Sequence, residues 1–156
     1  MISFAVDDHR FNLRAAAIFL HEGAVLLHRL AGDTVWALPG GRVESGEDAA
    51  AAIVREMKEE VGELVQCGEL LYVVENFYEY RSTLHHEVGL YFHAELPPAT
   101  PLRIKNRAHF GIEGGQRLEF RWFLQSALPA LNLHPAFLQE ALSRPVLTFR
   151  HVVQRS

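Results

Sequence analysis

The chain has little cysteine and no long apolar run. Its single cysteine, Cys67, excludes an internal disulfide among the 156 residues and has no neighbours at metal-ligand spacing. The longest apolar run near the start, Ala15 to Leu20, is too short for the core of a signal peptide and far too short to cross a membrane. We therefore expect a cytoplasmic protein that does not contact a membrane.

Basic residues are also scarce. The chain has 15 lysines and arginines against 19 aspartates and glutamates, which gives a net charge of -4, and no basic run is interleaved with aromatics. This argues against general nucleic-acid binding. An acidic protein still binds a polyphosphate when metal ions bridge the charges. With 49% hydrophobic and 22% charged residues, and without repeats or linkers, residues 1–156 fit one domain with a sizeable core, as a monomer or homodimer.

One segment, GRVESGEDAAAAIVREMKEEVGE at 41–63, has the strongest chemical pattern. Ser45 precedes two acids, so we expect it to cap a helix whose first turn favours negative charge. Gly62 is placed to end that helix in a left-handed conformation. Apolar residues recur at three to four positions and predict one stripe that packs against a sheet. The stripe consists of Ala50, Ile53, Met57 and Val61.

The acids Glu56, Glu59 and Glu60 are predicted to share the other side of this helix. Their i, i+3, i+4 spacing brings three carboxylates together, and like charges so placed repel unless a cation or a proton relieves them. Oxygen ligands of this kind suit Mg2+ or Mn2+. Arg55 lies four residues before Glu59 and is expected to orient one carboxylate without being a ligand itself.

The segment Trp36-Ala37-Leu38-Pro39-Gly40-Gly41 precedes this helix and reads as a strand end that enters a tight turn. Together with the helix it resembles the Nudix box, Gly-x5-Glu-x7-Arg-Glu-U-x-Glu-Glu-x-Gly-U, where U is a bulky apolar residue. The match departs at the last position, because Glu63 stands there and the apolar Leu64 follows. The box residues of this chain are Gly41, Glu47, Arg55, Glu56, Glu59, Glu60 and Gly62.

This resemblance implies an α/β fold, the Nudix-type alpha/beta/alpha sandwich with a central mixed sheet. It also implies metal ligands from the carbonyl oxygen of Gly40 and from the side chains of Glu56, Glu59 and Glu60. Glu47 would support the loop and the start of the helix. The expected activity is Mg2+-dependent hydrolysis of a pyrophosphate bond in a nucleoside diphosphate linked to another moiety, of the ADP-ribose or nucleotide-sugar type.

The rest of the chain fits the same order of elements. Apolar runs on either side of His21-Glu22-Gly23 predict a hairpin, and runs around Arg81-Ser82-Thr83 predict a second one. A further strand is expected at Leu118 to Leu124, and a last helix after Pro135. Phe149 to Ser156 either pairs at a sheet edge or extends freely.

Pro97 to Arg117 is the longest segment without periodicity, and segments of that kind are usually disordered or functional. Glu113 lies there between glycines, and the resemblance implies an extra ligand or the general base. The candidates for the base are therefore Glu59, Glu60 and Glu113. Near the ends of elements that lead to the site, Arg14, Arg29 and Arg42 are candidate phosphate contacts.

Two other functions fit the same box. One is a housecleaning nucleoside triphosphate pyrophosphatase acting on oxidised nucleotides, which would differ only in its pocket. The other is a binding module that holds a nucleotide without hydrolysing it. Such modules usually lose box acids, whereas Arg55, Glu56, Glu59 and Glu60 are all present.

Overall fold

The computed structural model describes residues 1–156 as ten strands and two α-helices, with two short 3-10 helices. The α-helices are α1 (Ala49–Val61) and α2 (Leu138–Ala141), and the 3-10 helices are Pro101–Arg103 and Gln125–Ala130. The strands are β1 (Ser3–Val6), β2 (His9–Ile18), β3 (Leu20–His21), β4 (Ala24–Leu30), β5 (Gly40–Arg42), β6 (Gln66–Tyr80), β7 (Thr83–Glu95), β8 (His109–Glu113), β9 (Gln116–Leu124) and β10 (Arg150–Arg155).

The strands form two sheets. The six-stranded sheet has the order β1-β2-β7-β6-β10, with the short β5 paired to β2, and the four-stranded sheet has the order β3-β4-β9-β8. The pairs β2-β7 and β6-β10 are parallel and the others in the larger sheet are antiparallel. The predicted α/β fold with a mixed sheet is confirmed, and both predicted hairpins are present.

Buried side chains form two hydrophobic clusters on opposite faces of the sheets. One cluster contains Ala52, Ile53 and Met57 of α1, packed with alternate residues of β2 and β9. The other contains Leu138 and Ala141 of α2. Because successive residues of a strand point to opposite faces, each long strand contributes to both clusters. The first cluster holds α1 against the sheets, and the second holds α2.

The boundaries of α1 agree with the prediction at one end. Gly62 follows the helix with φ 72, in the left-handed region, and its N–H donates to the carbonyl of Lys58. The predicted cap Ser45 is wrong. Asp48 caps the helix instead, because its Oδ1 accepts a hydrogen bond from the N–H of Ala51 at 2.8 Å. The helix therefore begins three residues later than a Ser45 cap would place it.

Glu60 shares one side of α1 with its neighbour Glu56, as the spacing predicts, but it does not face solvent as Glu59 does. Glu60 is only 5% exposed and lies among the buried residues of the helix. The second sheet causes this burial, because β8 packs against the end of α1. A Cβ added at Gly111 of β8 would lie 2.4 Å from the carbonyl oxygen of Glu60.

The segment Pro97 to Arg117 is more ordered than its sequence suggests. It contains the 3-10 helix Pro101–Arg103, the strand β8 and the start of β9. Glu113 therefore ends a strand, beside a turn at Gly114 and Gly115, and does not lie on a long loop. The reason is pairing with β9, which sequence periodicity did not show.

The C-terminal region has less helix and more strand than expected. The helix after Pro135 is only four residues long, at Leu138–Ala141. The tail does pair at an edge, because β10 runs parallel to β6 along six residues. No helix of the structure is long and apolar enough to cross a membrane.

Candidate active site

Gly40 and Gly41 lie in the short strand β5 and not in the tight turn expected from the sequence, and they allow backbone and carboxylate to approach closely. β5 pairs with β2 so tightly that a Cβ on Gly40 would lie 2.1 Å from the carbonyl oxygen of Ala15. A Cβ on Gly41 would lie 2.5 Å from the carboxyl carbon of Glu56. Glycine is therefore required by space at Gly40, where the contact is backbone. At Gly41 the missing side chain leaves a space, here called the carboxylate cradle, that the Glu56 carboxylate fills.

Arg55 is bonded to three of the box carboxylates. Its Nε and Nη2 donate to the two carboxylate oxygens of Glu47, at 2.8 and 3.0 Å. Its Nη1 donates to Glu56 at 2.9 Å and to Glu59 at 3.4 Å. Nη2 also donates to the carbonyl of Arg42, at 3.2 Å. Arg55 thus joins the helix to the loop before it, as predicted for a residue that orients carboxylates.

The charges of this network act on each other. The hydrogen bond from Arg55 lowers the pKa of Glu47, and this effect outweighs burial, which raises it. Hydrogen bonds to Glu47, and then to Glu56, raise the pKa of Arg55 against the effect of burial. Glu47 therefore stays a carboxylate, and its position at the start of α1 supports the loop.

The three predicted ligand carboxylates differ in exposure. The Glu59 side chain is 59% exposed and is directed toward Arg55, whereas that of Glu56 is 15% exposed and that of Glu60 only 2%. As they stand, no three histidine, cysteine, aspartate or glutamate side chains converge closely enough to form a metal site. Glu56 and Glu60 are close neighbours, and Glu59 lies farther out.

Glu60 is the most unusual group of the site. Neither of its carboxylate oxygens has a hydrogen-bond partner, although both are buried. Burial, followed by the charges of Glu113 and Glu56, raises the pKa of Glu60 to about 9. A buried carboxylate without partners is costly unless a proton or a cation satisfies it.

His28 of β4 faces Glu60 and was not predicted from the sequence. Its Nδ1 is also buried without a partner and lies 4.0 Å from Oε2 of Glu60. Burial, with the charge of Arg14, lowers the pKa of His28 to about 3, so the ring is neutral. No sequence motif marks His28 as a site residue, because it lies on a strand of the other sheet. Its only link to the box is its pairing with Ala37, which lies just before the box in sequence.

Glu113 faces the same site from β8. It lies two residues after Gly111, which touches the end of α1, and alternate residues of a strand point to one face. Its charge is the second cause of the raised pKa of Glu60. The structure therefore brings together the sequence candidates Glu56, Glu60 and Glu113, although Glu113 stands on a strand.

Two of the three candidate arginines lie side by side. Arg14 of β2 is directly opposite Arg42 of β5, and Nη2 of Arg14 donates to the carbonyl of Leu38 at 2.8 Å. Arg29 lies elsewhere. Its guanidinium binds Glu119 and the carbonyl of Asp33, and stacks on Trp36 at 4.3 Å, so a phosphate contact from Arg29 stays a prediction without geometric support.

The residues present fit a divalent cation. Glu60 supplies a buried carboxylate that no protein group satisfies, Glu56 lies next to it, and the other donors are oxygens. Hard cations such as Mg2+ and Mn2+ prefer oxygen ligands. The unpartnered nitrogen of His28 is the only soft donor close by.

Comparisons with known proteins identify the family of the chain. The family model NUDIX domain matches residues 11–142. No curated protein matches the chain significantly. Among solved structures, a MutT protein from Methanosarcina mazei Go1 is 18% identical with a TM-score of 0.64, covering 90% of this chain and 95% of that one.

Two further structures are similar in fold. A UDP-X diphosphatase is 19% identical with a TM-score of 0.59, covering 90% of this chain and 66% of that one. An ADP-ribose pyrophosphatase from Streptococcus suis is 19% identical with a TM-score of 0.53, covering 92% of this chain and 98% of that one. The chain therefore belongs to the NUDIX domain family, and the prediction of a Nudix pyrophosphohydrolase is confirmed at that level.

Proposed function

We propose that the protein hydrolyses a pyrophosphate bond in a nucleoside diphosphate linked to another moiety, with Mg2+ as its cation and Mn2+ as a substitute. The observation that carries this proposal is the buried Glu60 carboxylate, which has no protein partner and lies beside Glu56 and Glu113. The family assignment limits the chemistry to a pyrophosphohydrolase, and the names of its structural relatives do not decide the substrate.

The Gly40 carbonyl and the carboxylates of Glu56, Glu59 and Glu60 would hold the cation. When bound, it lowers the pKa of water and neutralises charge that builds on phosphate oxygens. Arg55 positions Glu56 and Glu59, and it bonds Glu47 to keep the loop in place.

The remaining steps use the open carboxylates and the arginines. Arg14 and Arg42 are neighbours on adjacent strands and would bind the phosphate oxygens. Water attacks one phosphorus, and Glu59 or Glu113, the two acids open to solvent, takes its proton. The bond to the bridging oxygen breaks, and the products are a nucleoside monophosphate and the phosphorylated remainder.

The proposal includes the setting of the enzyme. Its partner is a small molecule, a nucleoside diphosphate derivative, and neither nucleic acid nor a membrane is part of the reaction. We place the activity in the cytoplasm, in a monomer or homodimer.

The test is turnover of a substrate panel with Mg2+: ADP-ribose, GDP- and UDP-sugars, dinucleoside polyphosphates, and normal and oxidised nucleoside triphosphates, with products separated by chromatography. Glu59→Gln should reduce kcat by about 100-fold or more, since a metal ligand supplies several kcal/mol of transition-state stabilisation. Glu69→Gln is the matched control, because Glu69 is exposed and lies on β6, outside the box. Tight nucleotide binding with no turnover under Mg2+ or Mn2+ would instead make this a binding module.

A further inference from the structure

A second group of buried polar side chains lies on the six-stranded sheet. It consists of Asn12, Asn76, Tyr78, His85 and Glu87, here called the sheet-face cluster. The strand register brings them together, because Glu87 of β7 lies opposite both Asn12 of β2 and Asn76 of β6, and Tyr78 lies opposite His85. Since these residues alternate along their strands, their side chains share one face of the sheet.

Part of this cluster is satisfied internally. The side-chain amide of Asn12 and Nδ1 of His85 are 2.9 Å apart, and the ring of His85 stacks on Tyr78 with centroids 4.8 Å apart and planes 4° from parallel. The Tyr78 hydroxyl donates to Oε2 of Glu87 at 3.1 Å. These contacts fix the orientation of the Glu87 carboxylate.

Other polar atoms of the cluster have no protein partner. Oδ1 of Asn76 is buried without a hydrogen bond, although the residue is only 7% exposed. Glu87 is 6% exposed, and its second oxygen accepts no hydrogen bond. Buried polar groups are normally paired, because an unpaired one costs about 1–3 kcal/mol. The buried, unpaired Oδ1 of Asn76 faces the Glu87 carboxylate, and it therefore points to a ligand that presents hydrogen-bond donors.

The cluster is linked to the candidate active site through Arg14 of β2, on which the charges of both Glu87 and Glu60 act. Asn12, Arg14 and Ala16 alternate on the same face, and Arg14 pairs with Arg42 while Ala16 pairs with Gly40. With a rise of about 3.3 Å per residue, Asn12 and Ala16 are about 13 Å apart. Arg14 and Glu87 form no ion pair within 4.0 Å, although the charge of Glu87 acts to raise the pKa of Arg14. Phosphates at the two arginines would place the attached nucleoside toward the cluster.

We propose that the sheet-face cluster binds the base of the nucleotide and that Glu87 selects guanine. This inference rests on the proposed function, and it names the substrate class as guanine nucleotides. Guanine carries two adjacent donors, its N1–H and its 2-amino group, which a carboxylate accepts in a fork. The second N–H of its 2-amino group is a donor for the Oδ1 of Asn76.

The other bases fit two acceptors less well. Adenine and cytosine each offer an amino group next to a ring nitrogen that is itself an acceptor, and a carboxylate repels that nitrogen. Uracil offers one N–H between two carbonyl oxygens. A site with buried hydrogen-bonding groups rejects ligands that leave those groups unpaired. Glu87 thus favours guanine by attraction and disfavours the others by repulsion.

The test compares bases with the same phosphates. Binding of GMP, IMP, AMP and 2′-deoxy-GMP is measured by calorimetry, and kcat/KM is measured for GDP-mannose and ADP-mannose. The wild type should favour guanine over adenine by about 10- to 100-fold in both assays, since one good bidentate contact has that effect. IMP, which lacks the 2-amino group, should bind about 10-fold more weakly than GMP.

Glu87→Gln should reduce the guanine-to-adenine ratio to within about 3-fold of unity. This ratio is insensitive to a partly unfolded preparation, because both ligands are measured on the same sample. Glu75→Gln is the matched control, since Glu75 lies next to Asn76 on the other face of β6 and pairs with His151. That variant should keep the wild-type ratio.

Three results would overturn the inference. The first is equal binding of GMP and AMP, and the second is a guanine preference that survives Glu87→Gln. The third is equal binding of all bases together with weaker binding of 2′-deoxy-GMP than of GMP, which would assign Glu87 to the ribose. A guanine preference in binding without any turnover would keep the base site and refute the proposed hydrolase. Turnover of GDP-mannose and ADP-mannose at equal rates would keep the proposed hydrolase and refute the base site.

Discussion

Arg55 forms a two-bonded ion pair with Glu47, with Nε and Nη2 at 2.8 and 3.0 Å from the two carboxylate oxygens. The pair joins the middle of α1 to the loop before it, across eight residues of sequence. Both side chains are mostly buried, at 26% and 17% exposed. This geometry makes Arg55 a structural organiser of the carboxylates as well as a charge.

Arg55→Lys is therefore expected to reduce both stability and activity. A lysine keeps the charge but cannot donate in a fork to Glu47 while it bonds Glu56 and Glu59. Loss of hydrogen bonds to charged groups should cost about 2 kcal/mol in urea denaturation, and kcat should fall about 10-fold or more. Arg144→Lys is the control, because Arg144 pairs with Glu140 at an exposed surface and should change stability by under about 0.5 kcal/mol. Equal losses in the two variants would contradict a special role for Arg55.

A change at Gly41 tests the carboxylate cradle directly. The added methyl group of Gly41→Ala would lie 2.5 Å from the Glu56 carboxyl carbon and must displace that side chain. We expect the concentration of Mg2+ needed for half-maximal activity to rise about 10-fold or more, while circular dichroism stays unchanged. Gly46→Ala is the control: its φ of 79 makes alanine strained, but nothing lies within 4 Å of the added atom. If Gly46→Ala raised the Mg2+ concentration needed for half-maximal activity by the same factor, backbone strain and not the cradle would explain the effect.

The sequence predicted those features of the site that depend on residues close together in the chain. The end of α1 at Gly62 and the pairing of Arg55 with a carboxylate both follow from local spacing. The turn expected at Gly40 and Gly41 is instead a strand, because these residues pair with β2. The cap was wrong because Ser45 and Asp48 are both good capping residues, and local preference does not choose between them.

Features that depend on strand pairing were not predictable in the same way. Glu60 is buried because β8 covers the end of α1, and His28 reaches it from the four-stranded sheet. Glu87 faces Asn12 only through the parallel pairing of β2 with β7, seventy-five residues apart in sequence. Register of this kind is set by packing over long range, which a single sequence does not show.

The raised pKa of Glu60 predicts how stability depends on pH without metal. Because the native state binds this proton more tightly than the unfolded state does, the contribution is fully present below the usual glutamate value of 4.5 and is lost as the pH rises toward about 9. In EDTA the free energy of unfolding should fall with pH across that window, by up to about 1.4 kcal/mol per pH unit. Urea denaturation at several pH values measures the slope.

Glu60→Gln should remove most of that slope, because an amide does not titrate. The variant should also be more stable than the wild type at pH 8 in EDTA, and should lose the stabilisation that Mg2+ gives the wild type. Glu47 contributes with the opposite sign, since its pKa is lowered and its contribution is lost as the pH falls. An unchanged slope in Glu60→Gln would mean that other groups control the pH dependence.

Glu113 offers the last test, because its charge raises the pKa of Glu60 of α1 from the strand β8. Removing its charge in Glu113→Gln removes the second cause of the raised pKa of Glu60, so the slope of stability with pH in EDTA should become smaller. If Glu113 also takes the proton from water, kcat should fall about 100-fold with little change in KM. Glu95→Gln, at an exposed position in β7, should alter neither quantity. A smaller pH slope with normal kcat would make Glu113 an electrostatic neighbour of the site and leave Glu59 as the general base.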